Sequence, residues 1–97
     1  MFHHVALLRF HEGIGDAQIA ALEAGLATLP GHIDALIGYR FGRDAEMTDG
    51  AWDYAIVADF ADPSGYEAYR DHPDHIDLLA NLSGPITAVV ARVQFES

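Results

Sequence analysis

Residues 66–75 read Tyr-Glu-Ala-Tyr-Arg-Asp-His-Pro-Asp-His. Two tyrosines stand three apart, two histidines stand three apart, and a proline separates the histidines. Histidine has an ordinary pKa of about 6.5, so it can take up and return a proton near neutral pH. A hydroxyl beside it can fix the tautomer of the ring or hydrogen-bond a developing enolate. The stretch therefore holds the parts for proton transfer next to a carbonyl without a cofactor. It also suits a helix end. His72 can cap the helix that Pro73 opens, and His75 can be a buried ring bonded to Tyr69 or to a backbone carbonyl.

Metal chemistry has less support. Pro73 interrupts the helix that would align His72 with His75. His3 and His4 are neighbours and would lie on opposite faces of a strand. No His-x-x-x-His or Glu-x-x-His pattern occurs, so no metal site is expected. The chain also lacks Gly-x-Gly-x-x-Gly, a P-loop and Gly-x-Ser-x-Gly, so nucleotide and acyl-serine chemistry are not expected and no cofactor is assigned.

Composition narrows the partners. The 97 residues suffice for a single domain, 1–97, and 51% of them are hydrophobic. Fifteen acidic residues face five arginines and no lysine, for a formal net charge of −10. Such a chain is repelled by nucleic acid and by an anionic membrane surface. Cysteine is absent, which excludes disulfides and thiol chemistry. The opening residues lack a basic start and a small-residue cleavage site, and no apolar run approaches about 18 residues. A cytoplasmic location is the expectation.

The elements that must position the stretch follow from periodicity. Phe2 to Phe10 reads as a strand covered on both sides, with His4, Ala6, Leu8 and Phe10 on one face. Ile19, Leu22, Leu26 and Leu29 form a helical stripe that Pro30-Gly31 is expected to end. Ile37 to Arg43 predicts a second strand. Trp52 to Phe60 predicts a third, with Trp52, Tyr54, Ile56, Ala58 and Phe60 on one face. Asp62-Pro63 starts a helix that must break before Pro73. A short helix from Pro73 is expected to bury Ile76, Leu79 and Leu82, with a turn at Ser83-Gly84-Pro85 and a last strand over Ile86 to Phe95. The order βαββαβ predicts an α+β, ferredoxin-like fold with a four-stranded antiparallel sheet and both helices on one face. The other face carries Val5, Leu7, Ala55 and Val57. A second copy of the sheet is its simplest cover, so a homodimer through the sheet face is expected.

Three segments carry a family resemblance. They are His4-Val5-Ala6-Leu7-Leu8-Arg9-Phe10, Trp52-Asp53-Tyr54-Ala55-Ile56-Val57-Ala58-Asp59-Phe60, and Tyr69-Arg70-Asp71-His72-Pro73-Asp74-His75. The last matches Tyr-x-x-His-Pro-x-His. In this order and spacing they resemble the stress-responsive A/B barrel (Dabb) family, the dimeric α/β barrel, over nearly the whole chain. The resemblance implies a dimeric α+β barrel with a cleft between each sheet and its helices. A plant member is a cofactor-free polyketide cyclase. Its base falls on His75, the tyrosine that holds the base falls on Tyr69, and a strand histidine falls on His4. The match has two departures. No tyrosine occupies residues 16–29, and Tyr54 stands where the cyclase has a pocket histidine, so the substrate is not carried over.

The resulting expectation is a catalytic pair, His75 and Tyr69, in a small apolar or aromatic ligand pocket contacted by His4, Trp52, Tyr54 and His72. The pair would serve a cofactor-independent cyclase, lyase or isomerase. The alternative is a non-enzymatic, stress-associated dimer that binds a ligand or a protein. Heme-free monooxygenases and muconolactone isomerase-like proteins share the dimeric barrel, but His-Pro-x-His argues against them.

Overall fold

In the computed structural model, which describes residues 1–97, four strands form one antiparallel sheet in the order β2-β3-β1-β4. They are β1 (Phe2–Phe10), β2 (Gly38–Arg43), β3 (Tyr54–Phe60) and β4 (Thr87–Glu96). The helices are α1 (Asp16–His32), α2 (Pro63–Asp71) and α3 (Pro73–Leu78). The order and sheet type match the ferredoxin-like expectation. No helix is long and apolar enough to cross a membrane.

The sheet has two unlike faces. His4, Ala6 and Leu8 of β1 and Tyr54, Ile56, Ala58 and Phe60 of β3 are buried beneath the helices. Ile19, Leu22, Leu26 and Leu29 of α1 close the core from above. The opposite face has no helix on it. There Val89, Val93 and Phe95 of β4 are about half exposed, opposite Arg9, Val5 and His3 of β1.

Local chemistry explains most boundaries. The Gly15 N–H donates to Gln18 Oε1 at 2.8 Å, which closes the start of α1. Pro30 does not end that helix, which runs on to His32. Near the C-terminus its missing N–H removes a single bond. Leu29 and Ile33 on either side are both buried, with the Ile33 N–H donating to the Leu29 carbonyl at 2.9 Å. Asp62 caps α2 by accepting from the Gly65 N–H at 3.1 Å. His72 then breaks the helix, in extended conformation before Pro73.

The α3 region differs from the expectation. Its buried residues are His75 and Leu78, while Ile76 and Leu79 lie 51% and 41% exposed. Gly25 of α1 explains the rotation. A Cβ there would lie 2.5 Å from Leu82 Cδ1 and 3.3 Å from Leu78 Cδ1, so the notch draws that side of α3 inward. Nor is Ser83-Gly84-Pro85 a simple turn. The helical path continues as one π-helical turn, Leu79–Ser83, and one 3-10 turn, Gly84–Ile86.

Candidate functional site

The break at Pro73 folds α3 back so that His75 faces Tyr69 of α2. The two rings stack with centroids 4.1 Å apart at 30°. Beneath them His4 of β1 lies 6.4 Å from Tyr69 and 4.8 Å from Tyr66, ring to ring. These four rings line a cavity of about 300 Å³ between the sheet and α2, α3 and the π-helical turn. Ala6, Leu8, Ile56, Leu79 and Val90 give it apolar walls, and Arg70 and Arg92 add charge. A few polar groups in an apolar recess is the usual composition of a small-molecule site.

The ring protons are fixed by their neighbours. His75 Nδ1 lies 3.2 Å from the Arg70 carbonyl, which can only accept, so Nδ1 carries the proton. Its Nε2 keeps a lone pair with no protein partner. His4 is arranged the opposite way. Gln94 Nε2 donates to His4 Nδ1 at 2.7 Å, which puts the ring proton on Nε2. Neither Nε2 is sealed from solvent despite having no protein partner. The cavity thus holds one ring acceptor on His75 and one ring donor on His4.

Both rings are held neutral. Burial, followed by the charges of Arg92 and His75, pulls His4 down to about 4. Burial also lowers His75, with Arg92 and His72 adding to it and the Arg70 carbonyl opposing it. Burial pushes Tyr69 up to about 12, so its hydroxyl stays protonated.

His4 predicts an acid-sensitive stability. On unfolding the ring regains its ordinary pKa near 6.5, so below that pH the unfolded chain binds a proton that the folded chain refuses until about 4. Stability from this group is complete above about pH 6.5 and falls as the pH drops toward 4. The ring is not fully sealed from solvent, so the expected loss is about 1–2 kcal/mol. Urea unfolding at pH 7 and pH 5 measures it. His4→Gln should flatten the slope in part, since His75 contributes in the same direction.

The structure separates the expected site residues into two groups. His4, Tyr69 and His75 come together. Trp52, Tyr54 and His72 do not line the cavity. Tyr54 occupies the expected face at the wrong level, since β1 pairs Leu8 with Tyr54 and His4 with Ala58. Four residues of strand separate them, about 13 Å. Tyr54 is instead a core ring 6.0 Å from Phe10, with a buried hydroxyl lacking a hydrogen-bond partner. Trp52 precedes β3, and the alternation breaks between it and Tyr54. Asp53, which stays exposed, bonds to the end of β1 there, donating its N–H to the Leu8 carbonyl and accepting from the Phe10 N–H at 2.8 Å. Trp52 ends beneath Arg9, whose guanidinium carbon lies 4.7 Å from the ring centre. His72 is a cap, with Nδ1 accepting from the Asp74 N–H at 3.1 Å.

The role of the Tyr69 hydroxyl also differs. It does not bond to His75 but meets the Tyr39 hydroxyl at 2.8 Å. The tautomer of His75 is set by a backbone carbonyl, and the tyrosine supplies a stacking surface. Tyr39→Phe should leave the buried Tyr69 hydroxyl unpaired at a cost of about 1–2 kcal/mol. Tyr69→Phe should cost a similar amount, and the double variant less than the sum. Additive losses in urea unfolding would show that the two hydroxyls do not act as a pair.

Sequence reasoning did not place Tyr39, Tyr66, Arg92 or Gln94 at the site. The alternation of Val90, Arg92 and Gln94 on β4 was a readable signal. Their placement beside Leu8, Ala6 and His4 depends on strand register. A different arrangement lies on the open face. His3 Nδ1 meets Asp59 at 2.6 Å and its Nε2 meets Ser97 Oγ at 2.7 Å, the order of a serine-hydrolase relay. The larger cavities do not reach it. It ties β1 to β3 and to the end of β4.

A βαββαβ sheet with one bare face and a histidine–tyrosine cavity under the other defines a ferredoxin-like α+β domain built around a small-molecule-sized recess. The chain belongs to the stress responsive A/B barrel domain family, whose model matches residues 2–97. It is 27% identical over 92 residues to a stress-response A/B barrel domain-containing protein of Arabidopsis thaliana, covering 92% of this chain and 80% of that one. A dimeric ferredoxin-like protein of unknown function from Thermobifida fusca YX superimposes with a TM-score of 0.91 at 36% identity, over 99% of this chain and 90% of the other. Hydroxynitrile lyase from Passiflora edulis shares the fold with a TM-score of 0.84 at 12% identity, over 97% and 90% of the two chains.

Proposed function

We propose that the protein is a homodimer joined through its open sheet faces, and that each subunit acts on a small apolar or aromatic ligand in the His4–Tyr69–His75 cavity. His75 is the acid–base, no cofactor takes part, and the reaction begins with removal of a proton next to a carbonyl, as in a cyclase, lyase or isomerase. One observation carries this reading. The cavity presents an unpartnered ring acceptor, His75 Nε2, and an unpartnered ring donor, His4 Nε2–H, on two neutral histidines. The acceptor can take the proton while the donor hydrogen-bonds the carbonyl oxygen as negative charge develops there.

The dimer is supported by the bare apolar face with Val89, Val93 and Phe95, and by the dimeric Thermobifida fusca relative. Sedimentation should give twice the chain mass of 10.5 kDa, and a species of 10.5 kDa alone would defeat the dimer. The chemistry is tested with benzylacetone in D₂O, a small aryl ketone with slowly exchanging protons beside its carbonyl. NMR should show those protons lost faster with the protein than without it. Binding at the His75 ring with no faster exchange would make the protein a non-enzymatic binder.

A further inference from the structure

We propose that the ligand of this cavity is a small aromatic or apolar acid, and that Arg92 binds its carboxylate. This rests on the reading of the cavity as a ligand site and narrows the ligand to one chemical class.

The chain carries 15 acidic residues and five arginines, so a free arginine is unexpected. Four of the five are committed. Arg43 meets Asp16 at 2.8 Å, and Arg70 grips the Asp71 carboxylate with two nitrogens at 2.8 and 3.0 Å. Arg40 lies 3.5 Å from Asp59, and Arg9 covers Trp52. Arg92 has no carboxylate, ring or hydrogen-bond partner, and it lines the cavity from an exposed position at its rim.

Its position is set by the sheet. Arg92 pairs with Ala6 across β1 and β4, and Gln94, two residues on along the same face, pairs with His4. The charge of Arg92 is felt by both cavity histidines, whose pKa values it helps lower. A guanidinium offers a planar fork that matches a carboxylate in two parallel hydrogen bonds. Ala6, Leu8, Ile56 and Val90 leave an apolar body no other polar demand on that wall. An anion in this recess meets an unpaired cation and two neutral rings in a chain of net charge −10, so the match selects one charge at one place.

The test uses two probes of nearly equal shape, hydrocinnamate and its neutral amide hydrocinnamamide, titrated into the full-length protein. Ring signals of His4 and His75 report occupancy by NMR, and calorimetry reports affinity. The wild-type protein should bind the acid about tenfold more tightly than the amide, with the gap shrinking as salt is added. Arg92→Gln should remove that tenfold for the acid and leave the amide within about twofold. Arg40→Gln, as a control, should change neither. Equal binding of acid and amide by the wild type, or an acid affinity unmoved by Arg92→Gln, overturns the assignment of Arg92 and leaves the cavity reading standing. Failure of both probes to shift either histidine ring overturns the cavity reading and this inference with it.

Discussion

Phe60→Ala should lower the stability of the protein by about 3–5 kcal/mol. Phe60 ends β3 and is fully buried. Its ring lies 5.4 Å from Tyr69 and 6.0 Å from Tyr66, so it supports the two rings that roof the cavity. Gly65 of α2 lies directly on it, at a spacing where an added Cβ would stand 3.2 Å from Phe60 Cβ. The Tyr66 and Tyr69 rings and Gly65 that pack against it belong to one helix, so the deletion should leave a void. For a domain of this size the melting temperature should fall by on the order of 20 °C at fixed protein concentration. The fluorescence of Tyr66 and Tyr69 should change as well. Met47→Ala, at a loop position 86% exposed, is the control and should cost under about 1 kcal/mol. A loss below about 1 kcal/mol for Phe60→Ala would mean that α2 collapses onto the gap and that its position is not set by this ring.

The fold was legible because its signals are local. The strict alternation from Tyr54 to Phe60, the stripe from Ile19 to Leu29 and the pair Asp62-Pro63 each report a structure formed by near neighbours. The site was legible only where it shares that locality. Tyr69 and His75 are six residues apart, and the break at Pro73 makes their encounter local. His4 came with them through the family resemblance. Tyr54 shows where the reasoning reached its limit. Alternation gives the face of a strand but not the height along it, and the Leu8–Tyr54 pairing places this ring a core's length from His4. Arg92, Gln94 and Tyr39 were out of reach for the same reason, because each enters the site through pairing between distant strands. The rotation of α3 turned on Gly25, a residue silent in any hydrophobic pattern. Its contribution is the side chain it lacks.

His75→Gln should reduce the exchange of benzylacetone protons by about 10²–10⁴-fold, the range that a positioned base supplies. Glutamine keeps a similar reach and can still donate to the Arg70 carbonyl, but its side chain has no basic nitrogen to replace Nε2. Affinity for the ketone should therefore hold within about threefold while the rate collapses, a change in turnover and not in binding. The wild-type rate should also carry the signature of a lowered pKa. The active form is the neutral ring, and burial keeps His75 neutral below the ordinary value near 6.5. The midpoint of the acid limb should therefore lie below pH 6.5. An ordinary solvated histidine would already have lost half its activity at pH 6.5. His4→Gln separates the two rings. It keeps an amide donor in place of the ring N–H and leaves the base, so the rate should fall less than in His75→Gln and the acid limb should remain. A rate unchanged by His75→Gln, or an acid limb that vanishes with His4→Gln alone, would move the base from α3 to β1 and reverse the roles assigned to the two histidines.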